Sequence, residues 1–451
     1  MQRKRLVYNT ALLTLSSLLM SCIGMAFQVW LVGRIGSTGI GLYQLVVSVT
    51  NLSATFAISG IRFATTRLVS EELGYENNSS ISSAIHRCLI YGSIFGFAAL
   101  VIMYSLAEPL GFLWIGDART VMSLRISSLS MPCISLCAVL SGYFTANGRV
   151  WKPTLIHLIE QLLGIMLVAL FLKSAPAGDI EKSCAAVTLG RLAADLLSLV
   201  MMYFAYITDR RLHYEGTSSG NRLTARMLKI AVPLAVSAYA RSALTTLQNL
   251  LVPRGLKSAG YSADGALSGY GIIQGMVLPI ILFPSCIMSS LSELIVPELT
   301  ESQVQNDKKG ISRSVSALIR MSLIFSISVS AFMFIFADML GVTIYKSSEA
   351  GFYIRILAPL IPIMYTDMTI DGCLKGLGQQ VWSMGINIVD AAIGLLLVWY
   401  YLPKYALAAY IAIIYFTEVL NFILSAYRLV QINRAEQNKT KSFFDKLEDI
   451  A

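Results

Sequence analysis

The chain has 451 residues, 55% hydrophobic and 14% charged, with a net charge of +9 and a mean hydropathy of +0.65. A soluble domain carries about 25% charged residues, so the composition excludes a water-soluble globular protein, and its low charge excludes a disordered one. An integral membrane protein remains: spans of about 20 apolar residues, repeated about a dozen times, would fill roughly half of the chain and leave no room for a large soluble domain.

Hydropathy predicts twelve transmembrane helices, over 8–31, 39–60, 82–106, 121–143, 153–172, 184–207, 228–252, 268–295, 313–338, 351–370, 380–401 and 405–427. The fold class is therefore an all-α polytopic membrane protein. Arg3-Lys4-Arg5 precedes an apolar run too long for a cleaved leader and reads as a signal-anchor helix. The first span carries Thr14, Ser17, Ser21, Gly24 and Gln28 on one face, and the second carries Ser48, Asn51, Thr55 and Ser59. Two readings stay open for such stripes: close helix–helix packing or the wall of a hydrated cavity. Arg62 follows the second span and stands at its mouth. In the fifth span lies Glu160, and in the sixth Arg191 and Asp195, an i,i+4 pair expected to neutralise each other.

The longest internal polar stretch, from Thr208 to Thr224, is basic and holds Gly and Ser. It divides the chain into an N-lobe (1–207, six spans), a linker (208–225), a C-lobe (226–430, six spans) and a tail (431–451). The seventh span carries Ser237, Arg241, Thr245 and Gln248 on one face. A charge near mid-span costs at least about 2.5 kcal/mol, so Arg241 requires water, an acid or an anionic ligand. These residues point to a hydrated cavity lined by spans 1, 2, 7 and 8. Prolines 132, 233, 279, 284, 359 and 362 interrupt spans 4, 7, 8 and 10; they serve as hinges or only shape the bundle. Asp390 in the eleventh span is the second isolated acid, and Glu418 in the twelfth is a third. Intramembrane acids carry protons or sodium, or tether neighbouring helices, and Glu160 and Asp390 are the candidates for ion coupling.

With the N-terminus inside, twenty lysines and arginines fall in inside segments and eight in outside segments. This bias places both termini in the cytoplasm of a multi-pass cell-membrane protein, and the sequons at Asn77 and Asn78 then face inward without meaning. The positive charge fits loops beside anionic headgroups, so no nucleic-acid partner is expected; the bilayer is the environment.

The two halves repeat. At an offset of 230, Arg125 falls on Arg355, Pro132 on Pro362, Gly142 on Gly372, Gly148 on Gly378, Glu160 on Asp390 and Gly164 on Gly394. An offset of 220 places Gln28 on Gln248 and Arg34 on Arg254. Six spans per half start both halves from the same side, as in a parallel repeat around a central cavity.

No enzyme chemistry is visible. There are three histidines, none paired at metal-ligand spacing, and seven cysteines in apolar stretches, Cys133 and Cys137 included. Neither a phosphate-cradling G-x-x-x-x-G-K-[ST] nor a G-x-S-x-G elbow occurs. No cofactor is expected.

Certain segments carry a resemblance. Gly36-Ser-Thr-Gly-Ile-Gly-Leu-Tyr43, Arg67-Leu-Val-Ser-Glu71, Ser141-Gly-Tyr-Phe-Thr-Ala-Asn-Gly148, Pro153 and Ile156-His-Leu-Ile-Glu-Gln161 follow in that order. The chain resembles the stage V sporulation protein B group of the multidrug/oligosaccharidyl-lipid/polysaccharide (MOP) exporter superfamily, whose members include lipid II flippases and the multidrug and toxin extrusion (MATE) transporters. The resemblance implies a V-shaped bundle of two six-helix lobes. It also implies export of an undecaprenyl-pyrophosphate-linked saccharide by alternating access, for peptidoglycan or envelope polysaccharide, with envelope-synthesis enzymes as partners. Two departures stand out: the group usually has two further C-terminal helices, and helix 1 lacks the arginines of lipid II flippases. On this reading Arg241, Gln28, Gln248, Asn51 and Arg62 bind the substrate. The alternatives are a proton- or sodium-coupled drug antiporter and a non-transporting membrane scaffold.

Overall fold

The computed structural model describes residues 2–74, 78–174, 176, 178–213, 223–292, 299 and 308–448, and among them all regular structure is helical. The predicted linker is described only at its ends, 208–213 and 223–225, both helical; its centre, like Asn77, lies outside the described residues. Eight helices are long and apolar enough to cross a membrane, and nine if the pair Ala118–Ser128 and Met131–Ala146, bent by 42°, is one span. Two of these, of 59 and 53 residues, each hold two spans, because Gly36 and Ala406 leave helical geometry inside them. A further span runs from 348 to 376 through a 3-10 turn at Ala358–Leu360. Among the described residues each of the twelve predicted spans is mainly helical, and what differs is where they break and how they join.

We number these spans α1 (2–35), α2 (37–58, continued by Ile61–Gly74), α3 (Asn78–Ser105), α4 (Val121–Ser128 and Met131–Ala146), α5 (Trp151–Ser174), α6 (Ile180–His213), α7 (Leu223–Ser258), α8 (Ala263–Leu282), α9 (Lys308–Ile335), α10 (348–376), α11 (380–405) and α12 (407–448). The loop expected between the first two spans shrinks to one residue. Gly36 has φ +71° and ψ −179°, a region that only glycine enters freely. Beyond the second span the chain breaks at Ser59 and Gly60, then continues as helix, so Arg62 and Arg67 ride on α2 rather than in a loop.

The chain forms two compact units, Met1–Gly271 and Ile272–Ala451. That division falls inside α8, not at the repeat boundary, because α7 and the start of α8 pack closely on α2. Gly41 and Gly60 have no Cβ for good reason: one at Gly41 would run into the Leu267 carbonyl, and one at Gly60 into the Ala231 carbonyl. In the first unit Ile61, Ala64 and Leu68 of α2 bury against Cys88 and Tyr91 of α3, Val139 of α4 and Ala231 of α7. A second cluster joins Tyr143 and Phe144 of α4 to Ile156 of α5 and Met202 of α6. In the second unit Ile311, Val315 and Leu318 of α9 pack on Ile370 and Leu374 of α10 and Leu429 of α12. Large apolar side chains such as Ile94, Phe97 and Val101 on α3, or Ile324, Ile327 and Ile335 on α9, are exposed, as lipid-facing residues must be.

The repeat recurs in local geometry. Arg125 pairs with Glu108 at 2.6 Å, and Arg355 with Asp338 at 2.6 Å; the acids, too, are 230 residues apart. Met131–Ala146 and Ile361–Gly376 are both 16 residues long with proline in the first turn. Gly148 and Gly378 follow them at φ +66° and +71°. Gly116, at φ +73°, has Lys346 as counterpart at φ +53°, so the left-handed cap is kept even where its glycine is not.

Ala406, at φ 52° and ψ −136°, holds a conformation suited to glycine, as Gly36 does. Gly36→Ala is expected to destabilise the protein by about 1–3 kcal/mol and Ala406→Gly to stabilise it by about 1 kcal/mol. Thermal unfolding in detergent would show melting temperatures moving in opposite directions; a fall in both would refute the strain assignment.

Candidate functional site

A helix that is apolar on most sides and polar on one must give that side a partner or water. In the first unit α6 does this with Arg191, Asp195 and Ser198, which lie three and four residues apart on one face. Two cavities open there. One, of about 300 Å³, is bounded by α1, α2, α4 and α6, and Gln28, Gln44, Asn51, Ser130, Arg191 and Asp195 line it. The other, of about 180 Å³, has Arg62, His157, Glu160, Asp195 and Ser198 on its wall. Asp195 belongs to both walls, and so does Ile134.

The expected Arg191–Asp195 pair does not form. Among the described residues Arg191 makes no hydrogen bond and no ion pair, although Tyr43, Asp195 and Glu160 lie within electrostatic range. The i,i+4 spacing permits a bridge, but both side chains line the cavity instead. The surface of Arg191 is exposed, and what it is exposed to includes this cavity.

Glu160 is held from two sides. Its Oε2 accepts from Ser198 Oγ at 2.5 Å and pairs with His157 Nδ1 at 3.1 Å. Its repeat counterpart lacks both partners: Asn387, at the position matching His157, donates to the Ser383 carbonyl instead. Oδ1 of Asp390 is buried without a hydrogen bond. The two acids share a repeat position but not an environment. Glu418 lies within electrostatic range of Asp390 and Asp367.

The α2 stripe divides between its two readings. Ser48, Thr55 and Ser59 pack on α7: Thr246 Oγ1 donates to the Ser48 carbonyl at 3.1 Å, Asn249 Nδ2 to Ser48 Oγ at 3.1 Å, Thr55 Oγ1 to Ser242 Oγ at 3.4 Å, and Tyr239 hydroxyl bonds Ser59 Oγ at 2.6 Å. Asn51 faces the 300 Å³ cavity. On α1, Ser21 bonds the Ser17 carbonyl while Gln28 reaches the cavity. Gln28 and Asn51 are therefore brought together; Arg241 and Gln248 are not on that wall, and Arg62 is on the wall of the smaller cavity. Within the first unit the larger cavity is bounded by α1, α2, α4 and α6. Arg241 and Thr245 are exposed on the side of α7 away from Ala235, Thr246 and Leu250, which are buried. The Arg241 side chain makes no hydrogen bond or ion pair among the described residues, while its carbonyl accepts from Thr245 Oγ1 at 3.0 Å.

Two charge clusters escaped the sequence. Asp209 near the end of α6 is 2% exposed and holds Arg149, Lys152 at 2.6 Å and the Tyr143 hydroxyl at 2.8 Å. Arg226 at the start of α7 bridges Glu71 at 2.5 Å and Glu72 at 2.7 Å on α2. Each joins residues 57 or more positions apart, and only the adjacent Glu71-Glu72 pair offered a signal. No group of three or more His, Cys, Asp or Glu side chains that could hold a metal occurs among the described residues.

The Ser198 bond joins Glu160 on α5 to α6, the contact a tether would make. Glu160→Gln is expected to lower stability by about 1 kcal/mol, since the amide still accepts from Ser198, and to leave transport intact. Loss of transport with an unchanged melting temperature would make it an ion carrier instead.

The MatE family model matches residues 13–170 and 257–400. The chain is 22% identical over 398 residues to stage V sporulation protein B of Bacillus subtilis (strain 168), covering 87% of this chain and 77% of that protein. It is 21% identical over 393 residues to sporulation protein YkvU of the same organism, covering 84% and 86%. Among solved structures it resembles a multidrug resistance MATE family transporter of the MOP superfamily in its inward-facing conformation, with TM-score 0.75 at 13% identity over 94% and 96% of the two chains. A MOP superfamily transporter from Pyrococcus furiosus gives TM-score 0.67 at 13% identity over 95% and 96%. With the resemblance read from Gly36–Tyr43 and Gly142–Gln161 thus met, the chain belongs to the MatE family: it is a multi-pass membrane transporter, not an enzyme.

Proposed function

We propose that this exporter is a flippase for a lipid-linked saccharide, moving an undecaprenyl-pyrophosphate-linked precursor from the inner to the outer leaflet of the cytoplasmic membrane, with both termini in the cytoplasm. The observation that carries this reading is Arg241: a guanidinium near the middle of the 36-residue α7, exposed and without an ion pair among the described residues. Arginine stays protonated at any physiological pH and pairs through two parallel hydrogen bonds with phosphate oxygens. A cationic drug would be repelled there, so the drug-antiporter reading is the weaker one. The Pyrococcus relative is described as having a binding pocket of reverse polarity that suggests a different function, so pocket charge is a variable within this fold. Similarity to two sporulation proteins agrees with a substrate used in envelope synthesis.

An amphipathic substrate would keep its tail in lipid and offer only its head to the protein. Arg62, exposed near the break in α2, would recruit that head. An inside-negative potential drives anionic charge outward by about 2.3 kcal/mol per charge per 100 mV, so net export needs no nucleotide. The enzymes that make or consume the precursor would be its functional partners.

Arg241→Ala is expected to keep the fold, because the side chain makes no hydrogen bond or ion pair among the described residues, and to slow flipping of a defined undecaprenyl-pyrophosphate sugar in liposomes at least tenfold. Arg241→Lys should recover part of the rate, as the ammonium lacks the planar fork. A full rate in the alanine variant would sink the assignment.

A further inference from the structure

We propose that the cavity between α1, α2, α4 and α6 is itself a binding site for a phosphorylated sugar, with Arg191 on the phosphate and Asp195 with the amides of Gln28, Gln44 and Asn51 on the hydroxyls. This rests on the reading of the chain as a carrier of a lipid-linked saccharide and adds a second place where the head is recognised, inside one lobe and separate from Arg241.

Arg191 makes no hydrogen bond or ion pair among the described residues, yet it sits on a helix of an apolar bundle. A guanidinium in that setting is kept only by water, a counter-charge or an anionic ligand. Its neighbour Asp195, one turn away, does not close on it, and the space between them and α2 is a cavity of about 300 Å³. That is the lower end of the range of about 300–1,000 Å³ for ligand pockets, and suits a single sugar with its phosphate rather than a long glycan.

The wall decides the class of ligand. A site for a bare anion would surround the guanidinium with donors alone. Here an acid shares the wall, and a carboxylate repels a bare polyanion while it accepts from hydroxyls. The amides of Gln28, Gln44 and Asn51 offer donors and acceptors together, the combination that a ring of hydroxyls requires. Guanidinium, carboxylate and three amides converge on one cavity, and that set fits a ligand carrying a phosphate at one end and several hydroxyls at the other. A phosphorylated, hydroxylated head could come from a lipid-linked sugar or from a phospholipid such as phosphatidylglycerol, so the test separates these sources.

Binding is measured on purified full-length Arg241→Ala protein in detergent, where the site proposed on α7 is absent. The probes are N-acetylglucosamine 1-phosphate, inorganic pyrophosphate and dihexanoyl phosphatidylglycerol. Saturable binding of the sugar phosphate, at least tenfold tighter than of either other probe, and its loss by thirtyfold or more when Arg191→Gln is added, is the expected result. Should the double variant not fold, Gln44→Trp, which fills the cavity from α2, should give the same loss. Equal binding of pyrophosphate, preference for the phospholipid, no saturable binding, or binding indifferent to both substitutions would overturn the inference. Flipping by the unmodified protein in liposomes is measured separately. If flipping proceeds while Arg241→Ala protein binds no sugar phosphate, only the cavity assignment fails. If binding holds but no lipid-linked sugar is moved, the transport reading fails and the site stands.

Discussion

Everything polar inside this protein answers to one constraint: a charged or hydrogen-bonding group within an apolar bundle must be given a partner, because the surrounding lipid supplies none. The first unit meets the demand in three ways. Neutral hydroxyls are returned to their own helix, as Ser21 to Ser17 or Thr50 to Val46. Charges near the helix ends are tied to each other, as in Arg226 with Glu71 and Glu72. What cannot be satisfied in either way, Arg191 above all, is turned toward an open space. The cavity is where the bundle leaves polar groups over, and a transporter needs such groups left over.

The repeat shows which of these solutions is structural and which is free to change. The Arg125–Glu108 and Arg355–Asp338 pairs, the two proline-led helices and the paired left-handed residues are preserved across 230 positions. They fix how a short helix turns into the next span, a problem both halves share. The mid-span acids are not preserved in their surroundings. Glu160 has a histidine and a serine, whereas beside Asp390 the matching position is Asn387, which serves the backbone. The frame is common to both halves, and the polar interior differs between them.

Much of the frame was legible in the chain itself. Apolar run length placed twelve spans, and Arg125, Pro132, Gly148 and their partners disclosed the repeat, because those residue types carry demands that no neighbour can meet for them. The site was legible only in part. Helical spacing put Gln28 and Asn51 on polar stripes without deciding between packing and a cavity wall, and the same spacing on α6 suggested a self-neutralised Arg191–Asp195 pair. Periodicity says which face a residue shares; it does not say what stands opposite. Asp209 with Arg149 and Lys152, or Arg226 with the Glu71-Glu72 pair, depend on which helices become neighbours, and no local pattern encodes that.

The α2 helix brings the two kinds of surface together. One face, with Ser48, Thr55 and Ser59, is closed by neutral hydrogen bonds to α7, and the adjacent face, with Gln44 and Asn51, is open to the cavity. A neutral bond contributes about 0.5–1.5 kcal/mol net, because water or a new partner replaces what is lost. A fully buried ion pair would be far costlier to part, since separation strands a charge in apolar surroundings. At the end of the same interface Arg226 grips Glu71 and Glu72, but there the arginine is 38% exposed, and solvent screens the cost of release. The contact between α2 and α7 is thus assembled from interactions that hold in sum and yield one at a time, with the charged ones placed where water can take over. A transporter that changes conformation repeatedly would need a seam of that kind, and a seam locked by buried charges would not reopen.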